Sequence, residues 1–311
     1  MQPEPVPEQQ YPPKPTIPNE PKKSVVVQSL FSAVLFLVSF YFLFHQDIVY
    51  VLLLMLVLVI HELGHFGAMK MFNYSDVKMF FVPFLGAFVA GEEKEISGFH
   101  RAVIILAGPL PGIIMGLGLY AYAWNDSGGI IPTLAGLFVF VNLFNLLPFS
   151  PLDGGRLTEI LFFDSRRKLQ TIFTIVSCLV LVLVSIKLKS FIFLVLPLFM
   201  AYRIFLQYKI QQVKLWLGNQ GIDYNQPYEA ISDKDYFLTR QRIISEVPGY
   251  GQLHPFIYDI PAKEKHIIQL IQSFAEPPPI KRLPPIAKYL FVGLWLILSI
   301  LAVLAIFVIS N

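Results

Sequence analysis

Cysteine occurs once among the 311 residues, at Cys178. A single thiol excludes an intrachain disulfide and any cysteine-built zinc cluster. Charge is scarce too. Asp, Glu, Lys and Arg make up 14% of the chain, against roughly 25% in a soluble globular domain. The net charge of +3 is spread along the sequence, with no basic block of the kind that grips nucleic acid, so no nucleic-acid partner is expected. Apolar residues fill the gap: they make up 55% of the chain and give a mean hydropathy of +0.60. A soluble core of this length cannot hide that much apolar surface. The lipid bilayer is the expected solvent for most of it.

Seven stretches reach or approach the roughly 20 apolar residues that a bilayer crossing takes. They lie at about 24–44, 47–70, 101–123, 130–150, 169–186, 190–208 and 287–309. The first follows Lys22 and Lys23, as a signal sequence would, but it is too long for a cleavable apolar core and lacks a small-residue cleavage site. It reads as an uncleaved anchor. Only Lys187, Leu188 and Lys189 separate the fifth and sixth stretches, so these are a tight hairpin or a shallow re-entrant pair. With the N-terminus inside, the four inner segments hold 3, 4, 4 and 11 of the 24 Lys and Arg residues. The outer loops hold only Lys187 and Lys189. Positive charge favours the cytoplasmic side, so the N-terminus is expected inside and the C-terminus outside.

Three segments do not span. Residues 1–23 hold eight prolines and no apolar run, which predicts a disordered or polyproline-like tail, passive rather than a docking motif. Residues 72–100 are too short for a domain. Their apolar part, Met79–Gly91, is broken by Pro83, Gly86 and Gly91, which suits a re-entrant, hairpin-like loop that dips into the membrane and returns. Residues 209–286 have a soluble composition, with helical periodicity at 262–275, and Pro277–Pro279, Pro284 and Pro285 close the segment. The expected chain is therefore an all-α polytopic membrane protein of about seven spans. Its core covers 24–208, with a cytoplasmic segment at 209–286 and a last span at 287–311.

Ionisable groups at membrane depth are costly and mark function by default. The second span contains His61-Glu62-Leu63-Gly64-His65. Residues i and i+4 share a helical face, so both imidazoles can grip one metal ion. Glu62, about 100° round the helix, is poorly placed as a ligand but can reach a water on the metal. That division of labour belongs to zinc hydrolases. A random chain of this length contains the pattern at roughly the 1% level. A purely structural metal or ion-pair site is the plainer reading.

A catalytic zinc takes three protein ligands and keeps one position open. Asp47 and Asp126 fall at the outer boundary. Asp76, Glu92, Glu93 and Glu95 lie in or beside the inner loop. Asp153 follows the fourth stretch directly, within Asn145-Leu-Leu-Pro148-Phe-Ser-Pro151-Leu152-Asp153-Gly154-Gly155. The second and fourth spans run in the same direction, so His61, His65 and Asp153 match in depth. Pro148, Pro151 and the two glycines break the helix there. Irregular backbone at such depth is tolerated where it is buried or lines a wet cavity. His45 and His100 read as interfacial, His254 and His266 as solvated, and Cys178 as a packing residue.

The helix-borne His61-Glu62-x-x-His65, followed about 90 residues on by Leu152-Asp153-Gly154, resembles the site-2 protease family of intramembrane zinc metalloproteases. Gly108-x-x-x-Gly112 resembles that family's small-residue motif, and the likeness covers about residues 47–160. It implies His61, His65 and Asp153 as ligands of one Zn2+ and Glu62 as the general base. It also implies Asn145 as a polar group near the scissile carbonyl, and a membrane-re-entrant hairpin similar to residues 78–91. Gly86, in that hairpin, is expected along the edge where an extended substrate would add as a strand. Gly112 stands where many members carry Asn, and no segment is long enough for an inserted PDZ domain or paired CBS domains. The implied activity is hydrolysis of a peptide bond in or beside a transmembrane segment of a protein substrate, in a bacterial plasma membrane, with the site toward the cytoplasm. A metal transporter is the first alternative, although no repeated half is visible. An inactive homologue serving as a scaffold is the second.

Overall fold

The computed structural model describes residues 11–15, 25–44, 47–82, 86–92, 97–124, 128–163, 166–189, 192–253, 261–275 and 281–310. His45, Pro83, Glu93, Glu95, Asp126, His254 and Pro277–Pro279 lie outside them.

The apolar stretches form helices, as their composition requires when water cannot satisfy the backbone. In chain order these are α1 (Val25–Phe44), α2 (Ile48–Met71), α3 (Gly98–Ala107), α4 (Pro109–Tyr122), α5 (Ile130–Leu146), α6 (Asp153–Phe162), α7 (Arg167–Leu188), α8 (Ile192–Asn219), α9 (Asp233–Glu246), α10 (Pro261–Gln272) and α11 (Pro285–Ser310). Among the described residues, four segments are long and apolar enough to cross a membrane: Ile48–Met71, Gly98–Tyr122, Lys168–Lys187 and Pro285–Phe307. Val27–Phe42 and Ile130–Leu146 are shorter apolar helices. The expected seven spans compare with four candidate crossings, although each of the seven stretches carries helix. Phe31, Phe42 and Leu183 stand exposed on α1 and α7, where lipid is the solvent that tolerates them.

The expectation of an all-α chain is corrected between α2 and α3. Ser75–Val82 (β1) and Gly86–Glu92 (β2) form an antiparallel hairpin, with Phe80 opposite Phe88 and Val82 opposite Gly86. The run is rich in β-branched and aromatic residues, and Val77 and Phe81, on one face by the two-residue period, are both buried. The outer edge of β1 is held by α1. Ser29 Oγ donates to the Met79 carbonyl at 2.5 Å, and the Phe81 N–H donates to Ser32 Oγ at 3.1 Å. Phe36 of α1, Met55 of α2 and Phe81 of β1 pack together beneath it.

Two compact units divide the chain. The larger, Lys22–Met200 with Pro278–Asn311, holds the four candidate membrane spans found among the described residues. Its principal cluster joins Ala102 and Ile105 of α3, Val139 of α5, Leu157 of α6 and Leu298 of α11. Trp295 Nε1–H of α11 donates to the Leu146 carbonyl at 2.8 Å, satisfying one of the free carbonyls at the end of α5.

The smaller unit comprises residues 1–21 and 201–277. It begins inside α8: the expected sixth span does not stop at 208 but runs on as one helix to Asn219. Val213 and Leu217 of α8 pack with Tyr236, Phe237 and Ile243 of α9 and with Ile267 and Ile271 of α10. Arg240 is fully buried within this cluster and donates to Glu264 through Nε at 2.8 Å and through a terminal nitrogen at 2.9 Å. The Tyr236 hydroxyl donates to the same carboxylate. Tyr11–Pro15, which the sequence reading placed in a passive tail, lies against this unit.

Candidate metal centre

Two helices bring the ligand set together. His61 and His65 lie one turn apart in the second half of α2, and Asp153 opens α6. All three are buried, as is Glu62. His61 Nε2 lies 3.0 Å from Asp153 Oδ2, His65 Nε2 lies 3.2 Å from the same oxygen, and the two Nε2 atoms are 3.2 Å apart. Ligands set tetrahedrally around zinc at about 2.0–2.1 Å lie roughly 3.3 Å from one another. The triangle therefore fits a cation of that size with little adjustment.

The far side of each imidazole is also occupied. His65 Nδ1 lies 2.7 Å from the Ile104 carbonyl of α3. A carbonyl only accepts, so Nδ1 carries the proton and Nε2 keeps a lone pair. His61 Nδ1 lies 2.7 Å from Asn142 Oδ1, and Asn142 Nδ2 donates to the Phe138 carbonyl at 2.7 Å. That second bond sets the amide, so its oxygen faces His61 and again leaves Nε2 bare. With both rings neutral, two lone pairs and a carboxylate oxygen converge, a donor set that fits a divalent cation.

Glycines create the space. A β-carbon on Gly108 would sit 2.3 Å from His65 Nε2, and one on Gly112 would sit 2.0 Å from Asn142 Nδ2. The Gly108-x-x-x-Gly112 spacing thus houses one ligand ring and the amide behind the other. A β-carbon on Gly64 would strike the Ala107 carbonyl at 1.9 Å, so that glycine lets α2 lie close to the end of α3. After Leu146 the chain is irregular until α6. A β-carbon on Gly154 would meet the Leu146 carbonyl at 2.1 Å, which explains why glycine follows the aspartate.

Asn142 was not singled out in the sequence, although a buried amide within an apolar span is a visible signal. Asn145 was, and its amide donates to the Val141 carbonyl one turn back at 3.1 Å. Among the described contacts, Asn142 rather than Asn145 touches a ligand. Gly86 starts β2 opposite Val82. His100 stacks on Phe72, with centroids 4.0 Å apart.

Comparison with known proteins agrees with the geometry. Residues 49–128, which carry both histidines, match Peptidase family M50. Stage IV sporulation protein FB of Bacillus subtilis is 31% identical over 169 residues, covering 49% of this chain and 58% of that protein. A zinc metalloprotease of Methanocaldococcus jannaschii is 31% identical over 139 residues, 43% of this chain and 36% of that protein. The chain is similar to this family of metallopeptidases. It spans less than two thirds of the length of either relative. The solved site-2 protease from Methanocaldococcus jannaschii aligns over 55% of this chain and 85% of its own, at 24% identity and a TM-score of 0.44. The metal-binding candidates among the described residues are His61, His65 and Asp153.

Proposed function

We propose that the chain is a zinc endopeptidase that cuts a membrane-protein substrate within or next to a transmembrane segment. The observation that carries this reading is the convergence of His61 Nε2, His65 Nε2 and Asp153 Oδ2 within 3.2 Å of one another beside the buried Glu62.

His61, His65 and Asp153 would hold the ion, with Asn142 and the Ile104 carbonyl keeping the two imidazoles turned toward it. A zinc held there would supply the Lewis acidity that makes water reactive at neutral pH. Glu62 would take a proton from the attacking water and pass it to the leaving amine. Asn145, on the last turn of α5, is the polar group offered to the scissile carbonyl or the adjacent backbone.

A helical peptide bond is shielded, so the substrate must be locally extended. Because α1 already holds the β1 edge, strand addition falls to β2, which Gly86 begins. The lysine and arginine distribution supports a cytoplasmic N-terminus, an external C-terminus and a site nearer the cytoplasmic face of a bacterial plasma membrane. A transporter has no use for Glu62, and a scaffold has no use for the complete ligand set.

The test is cleavage of a model transmembrane substrate by the purified full chain. Activity in the wild type and its loss in Glu62→Gln support the assignment. Equal cleavage by both removes Glu62 as the base.

A further inference from the structure

The soluble unit holds a short piece of its own chain as a bound peptide. Tyr11–Pro15 has no regular secondary structure. Pro12, Pro13 and Pro15 fix three of its five φ angles, so little conformational freedom is lost when it is ordered. The Tyr11 ring stacks on Phe237, centroid to centroid 6.1 Å. The Lys14 backbone N–H donates to Asp233 Oδ1 at 2.9 Å, and the Tyr228 hydroxyl donates to the Pro15 carbonyl at 2.7 Å.

The Lys14 ammonium is the centre of the contact. It donates to the carbonyls of Tyr228, Glu229 and Ile231 at 2.8, 2.9 and 2.5 Å. The Tyr228 ring lies beside it, 5.1 Å from Nζ to the centroid. These carbonyls belong to the 3-10 turn Tyr228–Ala230 and the residue that follows it; the Tyr228 carbonyl also accepts from the Ile231 N–H at 3.2 Å, and a helix end favours a cation. An ammonium has three donors, and the turn accepts from all three.

We propose that this groove is a binding site for an extended, proline-flanked lysine peptide, and that residues 11–15 are its resident occupant. A planar guanidinium presents its donors as a fork and does not match three convergent carbonyls, so the groove reads lysine and not merely positive charge. The occupant has a topological consequence. It puts the chain ahead of α1 and the chain beyond α8 on one aqueous side, so the polypeptide between them crosses the bilayer an even number of times. Nine residues, 16–24, separate the bound segment from α1 in the sequence.

The test uses the full chain in detergent. Acylation of the Lys14 amine, read by mass spectrometry, should run at least about tenfold slower in the folded protein than in denaturant, given three charge-assisted hydrogen bonds. A labelled peptide of residues 8–18 should bind the Lys14→Ala chain, whose groove is vacated, and not the wild type. The same peptide carrying Lys14→Arg should bind neither. Equal acylation rates in the two states overturn the proposal. So does peptide binding that is the same for both chains, or an arginine peptide that binds as well as the lysine one.

Discussion

The His65 ring occupies the volume that a side chain on Gly108 would need: a β-carbon there would lie 2.3 Å from Nε2 and 2.4 Å from Cε1. The ring cannot retreat freely, because its Nδ1 is bonded to the Ile104 carbonyl. Gly108→Ala should therefore move a ligand rather than merely crowd a helix packing face. Metal affinity should fall by roughly 10–100-fold, with an overpacking cost of about 1–3 kcal/mol. Chelator competition on the purified protein reads the first and thermal unfolding the second. Wild-type affinity in this variant would show that the ring is not confined as described.

Asn142 faces His61 as the Ile104 carbonyl faces His65. Asn142→Ala removes the acceptor, leaves a buried N–H without a partner, and should weaken metal binding by roughly 10–100-fold. Asn142→Asp keeps an oxygen at the same place and should restore most of that loss. The imidazole nitrogen shifts of His61 in the metal-free protein check the cause directly. They should report a proton on Nδ1 in the wild type and a mixture of tautomers in Asn142→Ala.

Glu62 is buried beside the ligands without being one in the geometry. Glu62→Gln is nearly isosteric and cannot take a proton from water. Turnover should fall by about 10²–10⁴-fold while metal content stays at the wild-type level. Loss of metal together with activity would give Glu62 a holding role instead.

The soluble unit carries its own vulnerability in the Arg240–Glu264 pair, which is buried at both ends. Glu264→Ala leaves a buried guanidinium without its carboxylate and should destabilise the unit by about 3–5 kcal/mol. Burial, then the hydrogen bond to Glu264, raises the Tyr236 hydroxyl above the ordinary tyrosine range. The folded state thus holds that proton more tightly than the unfolded chain. Its stabilising contribution is complete below a pH of about 10 and declines as pH rises beyond it. Tyrosinate absorbance and circular dichroism, followed together through that range, should show one tyrosine ionising only as the unit unfolds.

Much of the membrane core was legible because the bilayer leaves few options. Apolar runs become helices, and an ionisable residue inside one faces something specific. The His61-Glu62-x-x-His65 spacing was read on those grounds, and Asp153 lies within hydrogen-bond distance of both histidines. The hairpin at Ser75–Glu92 was harder. Its apolar run with Gly and Pro breaks reads equally as an irregular loop, and the alternation of Val77, Met79 and Phe81 is only three residues long. The continuation of α8 to Asn219 was hidden because helical geometry does not end where hydropathy drops. The Ile104 carbonyl leaves no trace in a sequence, since every residue has one. The Tyr11–Pro15 contact was masked by composition: a proline-rich run looks the same whether it is free or seated in a groove.

The most direct measurement is the metal content of the purified full chain and of its ligand variants, determined by elemental analysis after dialysis against a weak chelator. The account predicts one zinc per chain in the wild type and in Glu62→Gln, and substoichiometric zinc in His61→Ala, His65→Ala and Asp153→Ala. Full zinc occupancy in Asp153→Ala, or a folded wild type that retains none, would contradict it.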